Sequence, residues 1–247
     1  MCTAKASRPE MREDRDILIL DLGNSENLFD EEMLTRVNEL LDEVEQYPTP
    51  RALVTVGSGR HWCNGTNLRW LLETPEEQVQ AFTAEIMQLY ARFLALPVIS
   101  VAALQGHAFA NGVILALSHD FRVMRSGKIY VCLPNANVGY FLTRGEAAVL
   151  QAKLPPSTAL EMIITGRRYQ APAAAAAGLI DNICFDEAIL ESAEVLAQPS
   201  QPKHQQVIGY GKRLLYQQAI ETLRGPHSTT YVPQGMDWGS DAGAVAL

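Results

Sequence analysis

Val54-Thr55-Val56-Gly57-Ser58-Gly59-Arg60-His61-Trp62-Cys63-Asn64-Gly65-Thr66-Asn67-Leu68 passes from a buried strand through a Gly/Ser loop to the start of a helix. The β-branched run favours a strand, and the closely spaced glycines then end any regular element. An aromatic residue, two small or polar residues and a glycine follow before the chain turns helical. A helix that starts in this way leaves backbone N–H groups without intrahelical partners, a ready site for an oxygen carrying negative charge. Taken alone, the stretch reads as an ordinary strand-to-helix connection.

A second stretch repeats the pattern. Gly106-His107-Ala108-Phe109-Ala110-Asn111-Gly112-Val113-Ile114-Leu115-Ala116-Leu117-Ser118-His119-Asp120 follows the apolar strand 98–103 and again runs through a glycine-bearing turn into a helix. Two such turns on adjacent strands of one sheet can aim one N–H each at a single point, which is the geometry of an oxyanion hole.

Outward from these turns, apolar strands alternate with helices. Residues 17–22 read as a strand, and Met33, Val37, Leu40, Leu41 and Val44 recur at helical spacing over 30–46 behind an acidic first turn. A strand at 52–56 precedes a long helix over 76–96, with Val79, Phe82, Ile86, Leu89 and Phe93 inward, which Pro97 ends. Segments 121–124 and 129–132 read as strands. Beyond Arg144 the pattern is mainly helical, over 147–153, 157–165, 173–177, 187–196 and 207–223. The Gly/Ser/Thr/Pro-rich tail over 226–247 reads as flexible. The alternation predicts an α/β class.

The 247 residues, 47% of them hydrophobic, suffice for one sizeable core. A net charge of -8 argues against nucleic acid as a partner, so any polyanionic ligand is met by local cations. Cys2, Cys63, Cys132 and Cys184 form neither a CxxC pair nor a metal-ligand spacing, which predicts reduced thiols and no metal. Residues 1–16 are polar with no apolar leader core, and no apolar run is long enough to span a membrane. Val245-Ala246-Leu247 is not the serine-lysine-leucine peroxisomal address.

Together the two turns resemble the crotonase (enoyl-CoA hydratase/isomerase) family. The first family signature appears as Trp62-Cys63-Asn64-Gly65-Thr66-Asn67-Leu68, with Asn67 where aspartate is usual, and the second as residues 106–120. The likeness extends over most of 16–225 and is strongest to monofunctional 3-enoyl-CoA to 2-enoyl-CoA isomerases of the plant peroxisomal type. It implies a ββα superhelix over 16–200, a C-terminal helix at 201–225 that covers the site or joins subunits, a homotrimer or hexamer, and a cytoplasmic or peroxisomal location. It implies an acyl-CoA thioester as substrate, with coenzyme A as part of it and no separate cofactor. The Asn64 and Asn111 amides would be the oxyanion donors, and CoA would lie along loops 22–28 and 61–68. Arg60, Arg69, Lys212 and Arg213 are the candidate cations for its phosphates.

Two positions depart from the family's hydratases. The first catalytic carboxylate falls on Ile114, a loss shared with the family's isomerases. The second falls on Asn135, an amide that does not ionise near neutrality. Three readings follow: another acid/base group acts, from among Glu146, His107, Tyr140 and Glu73; Asn135 serves a different reaction on a CoA thioester, such as decarboxylation or hydrolysis; or the chain binds acyl-CoA without turnover. Glu146 also suits a purely structural place at a helix start, and His107, His119 and Asp120 suit packing and pairing roles.

Overall fold

The computed structural model describes residues 8–14, 17–47, 52–185, 188–197 and 204–226; Cys2 and the tail expected to be flexible beyond 226 lie outside them. The chain opens with strands β1 (Glu10–Asp14) and β2 (Ile17–Asp21), paired antiparallel, and helix α1 (Glu31–Gln46). Asp30 caps α1 by accepting from the Met33 N–H at 2.7 Å, as the acidic first turn predicts. Placing the start of the core at residue 16 therefore needs correction, since β1 belongs to the sheet.

Three units then share one plan: a strand of the main sheet, a short strand of a second sheet, and a helix. The first is β3 (Ala52–Val56), β4 (His61–Cys63), α2 (Leu68–Glu73) and α3 (Glu76–Ala95). The second is β5 (Ile99–Leu104), β6 (His107–Phe109) and α4 (Asn111–Ser118). The third is β7 (Phe121–Arg125), β8 (Val131–Cys132) and α5 (Asn135–Val138). Helices α6 (Arg144–Lys153), α7 (Pro156–Thr165) and α8 (Ala171–Ala176) lead to β9 (Asn182–Cys184), and α9 (Ile189–Ala197), α10 (Gln205–Leu215) and α11 (Gln217–Arg224) follow. The main sheet runs β1-β2-β3-β5-β7-β9, parallel from β2 onward, and β4-β6-β8 form the parallel second sheet. This is the ββα superhelix that the resemblance implied.

Both faces of the main sheet are covered, which explains why its strands read as continuous apolar runs. Leu18, Leu20, Leu53, Ala102 and Leu104 point into the core shared with α1, α3 and α4. The alternate residues Ile17, Ile19, Val54, Val101 and Ala103 pack with Ile189, Ala193 and Ala197 of α9. Helix α4 is buried from Gly112 to Ser118, so that stretch has no face to spare for solvent.

The helix expected over 207–223 is two helices, broken at Tyr216, whose φ of -103° and ψ of 18° leave helical geometry. The break divides the apolar residues of this segment into two groups. Ile220 and Leu223 of α11 are buried within the chain's own core, whereas Val207, Leu214 and Leu215 of α10 are exposed. No described helix is long and apolar enough to cross a membrane.

Candidate active site

The two glycine-bearing turns meet. Trp62 is fully buried and donates its indole N–H to the Thr55 carbonyl at 3.1 Å, pinning β4 back onto β3. From the preceding loop, Asn27 donates its amide to the carbonyls of Gly23, His61 and Trp62. Gly112 lies so close to β4 that a side-chain carbon there would stand 2.2 Å from the Cys63 carbonyl oxygen. Only glycine lets α4 start against that strand. Across the contact, the Asn111 side-chain amide donates to Thr66 Oγ1 at 2.8 Å, and Tyr90 Oη donates to the Asn111 carbonyl at 2.9 Å.

Each turn places one residue at positive φ just before the point of contact. Gly65 has φ 81°, and Ala110 has φ 47°, a region that L side chains rarely adopt. The residues that follow them, Thr66 and Asn111, have backbone N–H groups with no hydrogen bond among the described residues, and both line one cleft. Gly65 ties the pair together, since a carbon added there would be 3.0 Å from the Asn111 nitrogen.

The expectation for Asn64 is corrected here. Its N–H donates to the Glu26 carbonyl at 2.9 Å and is not available to a ligand, although Asn64 does line the cleft. The open donor lies two residues on, at Thr66. The sequence did carry a signal for it: glycine is the residue that turns the backbone, so the N–H redirected by the turn belongs to the residue after Gly65.

The cleft holds about 410 Å³, and loops 22–28 and 61–68 contribute Glu26, Leu28, Asn64 and Thr66 to its wall. Asn135 lines it at 7% exposure, as the first residue of α5; its carbonyl accepts the N–H groups of Gly139 and Tyr140. Its side-chain amide makes no hydrogen bond to a described residue and faces the cleft. Tyr140 and Glu146 complete this side.

Glu146 is 2% exposed. It forms a capping box with Thr143: Glu146 Oε2 accepts the Thr143 N–H at 2.6 Å, and Thr143 Oγ1 accepts the Glu146 N–H at 3.1 Å. Burial pushes its pKa above the usual carboxylate value, and hydrogen bonding from the backbone and the side chain of Thr143 offsets only part of that. A cap contributes about 1 kcal/mol, whereas burying a carboxylate with no cation beside it costs several kcal/mol, on the order of 3 or more. Capping alone does not account for so deep a carboxylate.

Other expected residues are not brought to this cleft. His107 stacks on Tyr130 and Phe109 and accepts the Tyr130 N–H at Nδ1, and burial lowers its pKa to about 4. It is neutral near pH 7 and walled into the small sheet. Glu73 ends α2 and is not among the residues that line the cleft. Cys63 is fully buried and its thiol is pushed up to about 12, so it is no nucleophile.

Of the candidate phosphate cations, Arg69 lines the cleft on its exposed rim, while Arg60 is exposed outside it and Arg213 is exposed on α10. Lys212 is corrected: its ammonium donates to the Val98 carbonyl at 2.6 Å and pairs with Asp120 Oδ2 at 2.5 Å, largely buried. It is bound within the fold and is not free to meet a phosphate.

The enoyl-CoA hydratase/isomerase family profile matches residues 14–223. Enoyl-CoA delta isomerase 2, peroxisomal, of Arabidopsis thaliana is 28% identical over 179 residues, covering 69% of this chain and 75% of its own length. Enoyl-CoA isomerase/hydratase fer4 of Mycosarcoma maydis is 26% identical over 217 residues, or 84% of this chain and 79% of its own. Among solved structures, the enoyl-CoA hydratase EchA3 of Mycobacterium ulcerans Agy99 superposes with a TM-score of 0.81 at 25% identity, over 87% of this chain and 94% of that one.

Proposed function

The chain belongs to the enoyl-CoA hydratase/isomerase family, and from that footing we propose that it is an acyl-CoA enzyme of the 3-enoyl-CoA to 2-enoyl-CoA isomerase type. The observation that carries this reading is the pair of open N–H groups, Thr66 and Asn111, each set after a residue at positive φ and both facing one cleft. Removing a proton from C2 of an acyl-CoA drives charge onto the thioester oxygen. Two donors preorganised around that oxygen stabilise the enolate, each to the extent of roughly 10²–10³ in rate.

Isomerisation suits the cleft better than hydration. Ile114, at the position of the first hydratase carboxylate, is fully buried and cannot activate water. Coenzyme A enters as part of the substrate, with Arg69 on the rim as the cation nearest its phosphates. The exposed face of α10, with Val207, Leu214 and Leu215, suits packing between copies in a trimer or hexamer, which light scattering would test. The peroxisome or the cytoplasm is the proposed location.

One observation favours a second reading. Asn135 presents an amide where the family's shuttle carboxylate stands, which suits a different reaction on a CoA thioester or binding without turnover. Incubation with 3-enoyl-CoA substrates of several chain lengths, with appearance of the conjugated 2-enoyl product followed by absorbance, separates the readings. Product formation supports the isomerase. Tight binding by calorimetry without product supports the second reading, and no affinity for any CoA thioester would sink both.

A further inference from the structure

If the chain is such an isomerase, the loss of the usual carboxylate at position 135 leaves a proton without a carrier. Among the described residues, two carboxylates line the cleft, Glu26 and Glu146. Glu26 is exposed to solvent at the mouth. Glu146 is buried, and its two oxygens differ. Oε2 is held by the Thr143 N–H at 2.6 Å. Oε1 makes no hydrogen bond to a described residue, yet it is not among the enclosed orphan atoms, which among the described residues are His61 Nε2 and Arg125 Nε. A carboxylate oxygen that is unpartnered, on a buried residue, and open to the cleft faces the place where substrate lies.

We propose that Glu146 is the proton-transfer group of this enzyme, standing in for the carboxylate absent from position 135 from a different element of the same wall. The anchoring matters as much as the position. Thr143 fixes one oxygen and, through helix α6, the direction of the other, so the base is oriented before substrate arrives. Met87 Sδ lies 3.6 Å from Thr143 Oγ1 and makes the surroundings of the pair apolar. Burial without a cation keeps the carboxyl more basic than one in water, which suits abstraction of a weakly acidic C–H.

The step balances without a co-reactant. Glu146 carboxylate takes a proton from C2; the C–H electron pair passes to the thioester oxygen, held by the Thr66 and Asn111 N–H groups. The enolate then collapses, a C2–C3 double bond forms, the C3–C4 π pair takes the proton from the Glu146 carboxyl at C4, and the carboxylate is restored.

Glu146→Gln is an informative variant because glutamine also fills the third position of a capping box, so the helix start survives and only the acid is lost. The measurements on the full chain are isomerisation of a 3-enoyl-CoA, exchange of C2 protons of the same compound in D2O by mass spectrometry, and its Kd by calorimetry. The expected result is a loss of about 10²–10⁴ in isomerisation and exchange together, with Kd within about threefold of the parent. Glu146→Asp keeps the charge and withdraws it by one methylene, and is expected to be at least about tenfold slow. A Gln or Asp variant that turns over at the parent rate overturns the assignment even if the other fails to fold. Isomerisation intact in the parent and in both variants leaves the enzyme reading standing and removes Glu146 from it. A parent chain that binds the CoA ester but neither exchanges nor isomerises it removes both.

Discussion

The two ends of helix α4 make the instructive comparison. Its N-terminal end meets a cleft where, among the described residues, the donors of Thr66 and Asn111, the Asn135 amide and one Glu146 carboxylate oxygen have no hydrogen-bond partner. Its C-terminal end is denser in charge and leaves none of these groups unmet. His119 is held through both ring nitrogens, by Leu115 O and Thr55 Oγ1, each at 2.8 Å. Asp120 accepts from Ser100 and Lys212, Arg122 pairs with Asp181 at 2.7 Å, and Lys153 donates to the His119 carbonyl. Charge and burial alone therefore do not mark a site. Missing partners beside accessible space do.

The sharpest way to break this contrast is to remove Arg122. Its guanidinium is 6% exposed and also serves the carbonyls of Leu179, His119 and Asp120, so Arg122→Met leaves four acceptors short of a donor. The expected cost is about 3 kcal/mol, at the lower end for a broken buried pair because Asp181 is one-third exposed. Urea unfolding reads the loss. Turnover per folded molecule should stay within about twofold, and a larger fall would show that the C-terminal end takes part in function.

At the other end, Gly65→Ala should do the reverse. The added carbon would sit 2.9 Å from the Phe109 carbonyl and 3.0 Å from the Asn111 nitrogen, on a backbone at φ 81°. Both open donors are displaced at once, and a loss of at least about 10²-fold in turnover is expected, since losing one oxyanion donor alone costs that much. Thr66→Val is the control: it removes the hydroxyl that holds the Asn111 amide but keeps the backbone N–H, so it should cost less than about tenfold. Equal losses in the two variants would mean that the side chain, not the backbone donor, is what the cleft uses.

The same contrast explains what the sequence could and could not reveal. Strands 17–22, 52–56 and 98–103 were legible because burial on both sheet faces demands unbroken apolar runs, and Pro97 and the acidic start of α1 marked helix ends by local chemistry. Strand β1 was not legible: it is an edge strand of charged residues, and its register comes from pairing with β2. The break at Tyr216 has no Gly or Pro to announce it. At the site, residue types placed both turns, but which N–H stays open depends on the Glu26 carbonyl reaching Asn64 from a distant loop. Lys212 failed for the same reason, since its partner Asp120 lies far away in sequence.

Asn135→Glu sharpens the comparison on the cleft side. It supplies a second ionisable group on the wall that holds Glu146, and isomerisation should rise about tenfold, a modest part of what a positioned base contributes. In the Glu146→Gln background the same change should recover part of the lost rate, as measured on a 3-enoyl-CoA. A fall in native activity would instead mean that the Asn135 amide donates to substrate or water, a role no carboxylate can fill.

The smallest expected effect tests whether the backbone geometry of the site is strained. Ala110 sits at φ 47° and ψ -122°, where its Cβ crowds the chain, immediately before the open Asn111 N–H. A non-glycine residue held there costs about 1–3 kcal/mol, and glycine returns roughly 0.5–1 kcal/mol of that through its greater freedom in the unfolded chain. Ala110→Gly should therefore stabilise the protein by about 1 kcal/mol, readable as a higher urea midpoint with an unchanged slope. Turnover should hardly move, because Asn111 is held from three other directions: Tyr90 Oη on its carbonyl, Thr66 Oγ1 on its side chain, and Gly112 against the Cys63 carbonyl. A stabilised variant that loses turnover by tenfold would show that the alanine, by restricting the backbone, is itself what aims the donor.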